Sequence, residues 1–312
     1  VTTQLILGGT GFIGSHLAKF LAARGDTVIA VGRRPIATPG VFGVEQRQVD
    51  LYGCSQAVLE VLVAPVDVVH HLAWSTFAAT AESDPDHDLR ANVGFTVRLL
   101  QAARLSGTRV VFCSSGGTVY GRSQDVAIDE NHPLRPINAY GAGKLAAEIY
   151  TDLYRRVHGL DVRVARVANP YGLGQFPGRK QGALSLFAAQ AMAGSVIEIW
   201  GDGSVIRDYL HIDDVVSALA SLADTPGENL GPTSVFNIAS GQGTSLNELV
   251  HLISELLEVS ISVLYNSGRS IDVPRNVLSI ERANRILKWR PMLNMRDGVA
   301  KLIEELRQVE GY

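Results

Sequence analysis

Short apolar runs and helical patterns alternate through the first half of the chain. Leu5-Ile6-Leu7, Thr27-Val28-Ile29-Ala30-Val31, Val66-Asp67-Val68-Val69-His70 and Arg109-Val110-Val111-Phe112 are the apolar runs. Their length and β-branched content predict parallel strands buried on both faces. Between them, Ile13 to Arg24, Ser55 to Val63 and Leu89 to Leu105 carry apolar residues at helical spacing. The repetition predicts βαβ units, hence an α/β fold with a doubly wound parallel sheet and helices on both faces. Val162-Arg163-Val164-Ala165-Arg166-Val167 extends the sheet.

After Asn169-Pro170 the pattern changes. Gly and Pro become frequent from Tyr171 to Gly182, and helical patterns follow at Leu246 to Glu258 and Met295 to Arg307. This predicts a first lobe of residues 1–170 and a smaller C-terminal α/β lobe of 171–210 and 241–312. Residues of about 211–240 return to the first lobe, through His211 to Ala223 and the strand Ser234 to Ile238. No internal repeat or low-complexity tract interrupts this organisation.

Composition narrows the class. The 312 residues are 46% hydrophobic and 19% charged, with a net charge of −3, which suits a globular enzyme and gives no global pull toward nucleic acid or an anionic membrane. Two cysteines, Cys54 and Cys113, form no disulfide framework and no metal spacing, so no metal is expected. Cys113 follows Val110-Val111-Phe112 and reads as a core thiol. The first residues lack the basic region and apolar run of a signal peptide. No stretch of ~20 apolar residues occurs. A cytoplasmic enzyme is expected.

Gly8-Gly9-Thr10-Gly11-Phe12-Ile13-Gly14 falls between the first strand and the first helix. Gly8 permits a tight turn, Gly11 lets the backbone approach a pyrophosphate, and Gly14 lets helix and strand pack closely. An anion there meets the N–H groups of the first helical turn, with Phe12 and Ile13 beside it. The sheet and this turn together describe a Rossmann-like dinucleotide-binding lobe. Folds of this kind that prefer NAD place an acid at the end of the second strand to bind the ribose hydroxyls. Here the position is Gly32, followed by Arg33 and Arg34, which suit a 2′-phosphate and favour NADP. The opposing reading is two solvated arginines, with NAD held by other contacts. Asp50, at the end of the third strand, is a candidate for the adenine amino group, with Leu51 next to it. Ala73 and Asn92 are expected to line the cofactor cleft.

Tyr140-Gly141-Ala142-Gly143-Lys144 puts a phenol and an ammonium one helical turn apart. The Lys144 charge favours the phenolate and draws Tyr140 toward a working pKa, so that it can exchange a proton with a substrate hydroxyl while hydride moves at the same carbon. With the glycine turn, this pair resembles the extended short-chain dehydrogenase/reductase superfamily. Ser114-Ser115-Gly116-Gly117-Thr118-Val119-Tyr120-Gly121, Asn169-Pro170-Tyr171-Gly172 and Trp200 to Tyr209 narrow the resemblance to its nucleotide-sugar epimerase/dehydratase branch, with a UDP-glucose 4-epimerase-like pattern. The resemblance runs nearly end to end.

The resemblance implies that Lys144 also bonds the nicotinamide ribose. It also implies a Ser or Thr that bonds the substrate oxygen. One extra glycine makes that position ambiguous: counting from Tyr120 gives Gly116, and counting from Phe112 gives Ser115. Ser115 is favoured, with Thr118 as a second polar contact. Gly117 and Thr118 stand where 4,6-dehydratases carry an Asp-Glu pair, so dehydration is not expected. The resemblance further implies that Arg207, Arg269 and Asn169 contact a sugar diphosphate; the structural alternatives are a lobe-holding ion pair of Arg207 with Asp208 or Asp213 and a solvated Arg269. His70, His71 and His211 read as structural. The function implied is a nucleotide-sugar 4-epimerase working through a 4-keto intermediate. The alternatives are an NADP(H)-dependent 4-ketoreductase of an NDP-4-keto-6-deoxysugar and, from another class, a non-catalytic dinucleotide-sensing protein. A homodimer is expected through the helices about Leu89 to Leu105 and Ala139 to Val157, paired as a four-helix bundle.

Overall fold

The computed structural model describes residues 1–33, 43–123, 127–175, 182–231, 234–268 and 273–309. The chain runs β1 (Thr3–Leu7), α1 (Phe12–Ala23), β2 (Thr27–Gly32), β3 (Val44–Gln48), α2 (Gln56–Val63), β4 (Val68–His71), α3 (Ala78–Ser83), α4 (Pro85–Asp88), α5 (Gly94–Ser106), β5 (Arg109–Ser115), α6 (Ala139–His158) and β6 (Val162–Val167). It continues as β7 (Asn169–Tyr171), α7 (Ala183–Met192), β8 (Ile197–Trp200), β9 (Ile206–His211), α8 (Ile212–Asp224), β10 (Val235–Ile238), β11 (Gly243–Ser245), α9 (Leu246–Leu257), β12 (Val263–Asn266), β13 (Arg275–Asn276) and α10 (Met295–Gln308).

Seven parallel strands form one sheet in the order β10-β6-β5-β4-β1-β2-β3. This is the Rossmann-like doubly wound architecture expected from the alternating pattern. The central strands are apolar runs because both faces are covered. One core joins α1 and α8 to the sheet through Leu17, Leu21, Val215 and Leu219, and a second joins α2 and α5 through Leu59, Leu62, Leu99 and Ala103. Fully buried Arg163 ties α8 to the sheet, its guanidinium donating to the carbonyls of Leu222, Ala223 and Thr225 at the end of that helix. Those carbonyls have no partners within the helix, and the cation suits the negative end of its dipole.

In a third core, Leu184, Phe187, Ile197, Leu249, Ile253, Leu302 and Ile303 pack α7, α9 and α10 together. Two small sheets border it: β9 pairs with β11, β13 and β7, and β8 pairs with β12. Among the described residues no helix is long and apolar enough to cross a membrane.

One helix departs from the pattern. The apolar spacing predicts a continuous helix from Leu89, but Leu89–Val93 forms a π-helical turn and the α-helix begins at Gly94. At this turn the Asn92 carbonyl accepts from the Thr96 hydroxyl at 2.8 Å, and its side chain reaches back to Asp88. Such turns are common where a helix serves a site.

Candidate active site

The strand order reverses between β1 and β4, and the C-terminal ends of strands at such a switch point are where open α/β sheets bind ligands. Gly8 follows β1 with φ +89°, a left-handed conformation that glycine adopts without strain. Its N–H and that of Gly9 both donate to the Val31 carbonyl at 2.9 Å. A methyl group on Gly14 would lie 2.2 Å from the Gly8 oxygen, so any side chain there would push α1 off the strand. Gly11 caps α1 without a side-chain hydrogen bond. The N–H groups of Phe12, Ile13 and Gly14 therefore lack intrahelical partners and, with the helix dipole, fit a pyrophosphate. The backbone of Ala73 packs directly against Gly8. This cradle fits a dinucleotide.

Arg33 is exposed just beyond β2. Arg34 lies outside the described residues. Asp50 is exposed and Leu51 is buried at the turn after β3. Asn92 is fully buried, and its amide holds the loop after β4: Oδ1 accepts from the Ser75 N–H at 2.8 Å, and Nδ2 donates to Thr76 Oγ1 at 3.1 Å and to Asp88 Oδ1 at 2.9 Å.

Tyr140 and Lys144 sit on the first turns of α6. Asn138 caps this helix by accepting the Gly141 N–H at 2.8 Å. Lys144 is only 4% exposed, and its Nζ donates to the Cys113 carbonyl at 2.8 Å. The Nζ lies 3.8 Å from the centre of the Trp74 ring and 5.8 Å from that of Tyr140. Tyr140 meets Trp74 edge-to-face at 6.2 Å.

Electrostatics here follow burial. Burial pushes the Lys144 ammonium down to about 8, against the opposing pull of Cys113, Asp88 and Glu148. Burial pushes the Tyr140 phenol up, and the acidic groups Cys113 and Asp88 add to this. Lys144 is not among the groups that shift Tyr140; its ammonium lies against the Trp74 ring and the Cys113 carbonyl. A nearby cation supplied by a ligand would push the phenol down.

Ser115 ends β5, half-buried. The ideal Cβ direction of Gly117 runs to within 3.9 Å of Ser115 Oγ and 3.7 Å of Asn169 Oδ1, which brings these three residues together. A side chain on Gly116 would instead strike Leu278 at 2.4 Å, away from that group. The Thr118 hydroxyl is buried, with no hydrogen-bond partner among the described residues. The Asn169 amide donates to the Asp208 carbonyl at 2.9 Å. Arg207 donates to the backbone carbonyls of Ile206 at 2.9 Å and Val273 at 2.5 Å. Arg269 lies outside the described residues.

His70 and His71 are buried, bonded to Gln4 and Thr96, and pushed down by burial to about 3, hence neutral at pH 7. His211 caps α8 by accepting the Asp213 N–H. Sequence reasoning missed Trp74, Asp88 and Asp208. Fully buried Asp208 takes the Ser240 N–H and hydroxyl on one oxygen and the Gly241 and Leu278 N–H groups on the other. Burial raises it to about 6 against these bonds. Its position within Arg207-Asp208-Tyr209 was the available signal.

Comparison with known proteins adds to this geometry. The model of the NAD dependent epimerase/dehydratase family matches residues 4–239. A UDP-glucose 4-epimerase of Mycolicibacterium smegmatis is 34% identical, over 97% of this chain and 98% of its own. The crystal structure of UDP-glucose 4-epimerase from Thermotoga maritima with UDP-glucose is similar at a TM-score of 0.90 and 29% identity, over 98% of this chain and 99% of that one. The Thermus thermophilus UDP-glucose 4-epimerase in complex with NAD is similar at a TM-score of 0.88 and 28% identity, with the same coverages.

Proposed function

The chain belongs to the NAD-dependent epimerase/dehydratase family, and from that premise we propose that it is a nucleotide-sugar 4-epimerase. The observation that carries the reading is the buried Lys144 one turn from Tyr140, at the strand ends that also carry the glycine cradle. A bound nicotinamide supplies the acceptor and donor of hydride. Gly8, Gly11, Phe12, Ile13 and Gly14 hold its pyrophosphate, with Asp50, Leu51, Ala73 and Asn92 around it. Tyr140 takes the proton of the sugar C4 hydroxyl and later returns one, and Lys144 bonds the nicotinamide ribose. Ser115 and Thr118 orient the oxygen. Asn169, Arg207 and Arg269 anchor the diphosphate while the 4-keto sugar presents its other face. In this reading, residues 1–170 with about 211–240 bind the dinucleotide, and 171–210 with 241–312 bind the nucleotide sugar.

The purified protein is expected to interconvert UDP-glucose and UDP-galactose without added cofactor, and mass spectrometry is expected to find dinucleotide carried through purification. An empty site, with turnover only of a 4-keto-6-deoxy sugar and added NADPH, would replace this reading with the 4-ketoreductase.

We assign the cofactor preference to NADP. A Cβ on Gly32 would lie 2.2 Å from Thr10 Oγ1, so the ribose-binding carboxylate cannot be placed there while Thr10 keeps its position, and exposed Arg33 follows directly. A charge-assisted contact contributes about 1.5–3 kcal/mol. The Arg33→Ala/Arg34→Ala variant is therefore expected to shift the NADP/NAD ratio of dissociation constants roughly ten- to hundredfold toward NAD. An unchanged ratio would reject the assignment.

We also infer a homodimer. On α6, Ile149 and Val157 are about three-fifths exposed, and Tyr150 and Leu153 lie between them with large exposed surfaces. Leu105 of α5 is similarly exposed. Pairing α5 and α6 with a second copy would cover this surface as a four-helix bundle. Light scattering is expected to give twice 33.5 kDa, and a monomer mass at micromolar concentration would reject it.

A further inference from the structure

We propose that Trp74 is a positioning residue of this site, its indole face holding the Lys144 ammonium in place. The proposal takes from the function above only that Lys144 belongs to the reacting centre. The Nζ lies 3.8 Å from the Trp74 ring centre and 5.1 Å from that of Phe112. No ion pair of Lys144 with a carboxylate occurs among the described residues. The ring's negative face and the Cys113 carbonyl are therefore the close partners of a nearly fully buried cation. An indole is the strongest aromatic partner for an ammonium, and desolvation strengthens the contact.

Two further observations tie Trp74 to the site. A methyl group on Gly143 would lie 3.4 Å from Trp74 Cζ2 and 2.3 Å from Asp88 Oδ2, so the glycine between Tyr140 and Lys144 makes the room that the indole and the carboxylate occupy. The indole and this glycine are a matched pair from distant parts of the chain. The Trp74 Nε1 is also buried, with no acceptor among the described residues. An unsatisfied buried donor in a ligand crevice is the group a bound ligand's acceptor would complete.

The test reads Lys144 directly, without substrate, so it stands apart from whether 4-epimerisation is observed. The full chain is labelled with ¹³C at lysine Cε, the Lys144 signal is assigned by its loss in Lys144→Met, and the shift is followed with pH. The groups facing Lys144 are Cys113 from β5, neutral His71 from β4, Asp88 from α4, and Tyr140 and Glu148 from α6. All remain in the variants, and water admitted beside a smaller side chain would raise the midpoint, so a lowered midpoint reports the ring. Losing the face destabilises the ammonium, so Trp74→Leu is expected to lower the Lys144 midpoint by about one pH unit, and Trp74→Phe by a smaller amount. An unchanged or raised midpoint in Trp74→Leu would overturn the proposal. If Trp74→Leu loses its fold by circular dichroism, Trp74→Phe decides alone: a lowered midpoint supports the proposal, and one equal to wild type or raised overturns it.

Discussion

Tyr140→Phe is expected to lower turnover by roughly 10²–10⁴-fold while dinucleotide affinity stays within about threefold of wild type. The substitution removes one oxygen and leaves the ring, which keeps its edge-to-face contact with Trp74. The helix start is unaffected, because Asn138 and the Gly141 N–H make the cap. Lys144 keeps its bond to the Cys113 carbonyl. What is lost is the group proposed to exchange a proton with the substrate hydroxyl, so the deficit is expected on kcat. Steady-state kinetics beside calorimetric titration with the dinucleotide separates the two effects. Turnover within threefold of wild type would remove Tyr140 from proton transfer.

The second large effect is on stability. Arg166 on β6 and Glu148 on α6 form an ion pair with side chains only 4% and 6% exposed. Nη2 lies 2.7 Å from Oε2, and Nε lies 3.1 Å from both carboxylate oxygens. The Ser114 hydroxyl also donates to Glu148, and Arg166 donates to the Tyr120 hydroxyl at 2.9 Å. Arg166→Met would leave a buried carboxylate with one hydroxyl donor. Breaking a buried pair from one side costs about 3–5 kcal/mol, whereas replacing both partners with apolar groups can be nearly neutral. Urea unfolding is expected to show that loss for Arg166→Met and recovery of most of it for Arg166→Met/Glu148→Leu. A single-variant loss under about 1 kcal/mol would mean that water reaches the pair. The pair also bears on the site: Glu148 is one turn beyond Lys144, and Ser114 precedes Ser115.

The central strands β1, β2, β4, β5 and β6 were legible because burial on both faces writes an unbroken apolar run. β3, Val-Glu-Gln-Arg-Gln at the sheet edge, carries no such run because it is largely exposed. β7, β11 and β13 span two or three residues, too few to show a period. The glycine turn and the Tyr140/Lys144 spacing were visible because each is local. Trp74 and Asp88 were not, since what matters about them is a meeting with α6 that arises only when β4 and β5 bring the two segments together. Asp208 was hidden by its neighbour: the eye goes to the arginine of the motif, while the aspartate ties β9 to the loops at Ser240 and Leu278. The π-helical turn at Leu89–Val93 was unreadable because helical spacing continues through it.

The sheet's outermost strand on one side has a consequence for synthesis. β6 is buried along its whole length and is paired on its outer edge by β10, yet the chain between Val167 and Val235 must be made before that partner exists. At roughly 5–20 residues per second, ribosomes leave this edge open for several seconds in every molecule made. An apolar strand with unpaired backbone groups is a template for another nascent chain. Heavy expression should therefore select for whatever shields β6 during that interval, and a truncation ending before Val235 would make the exposure permanent.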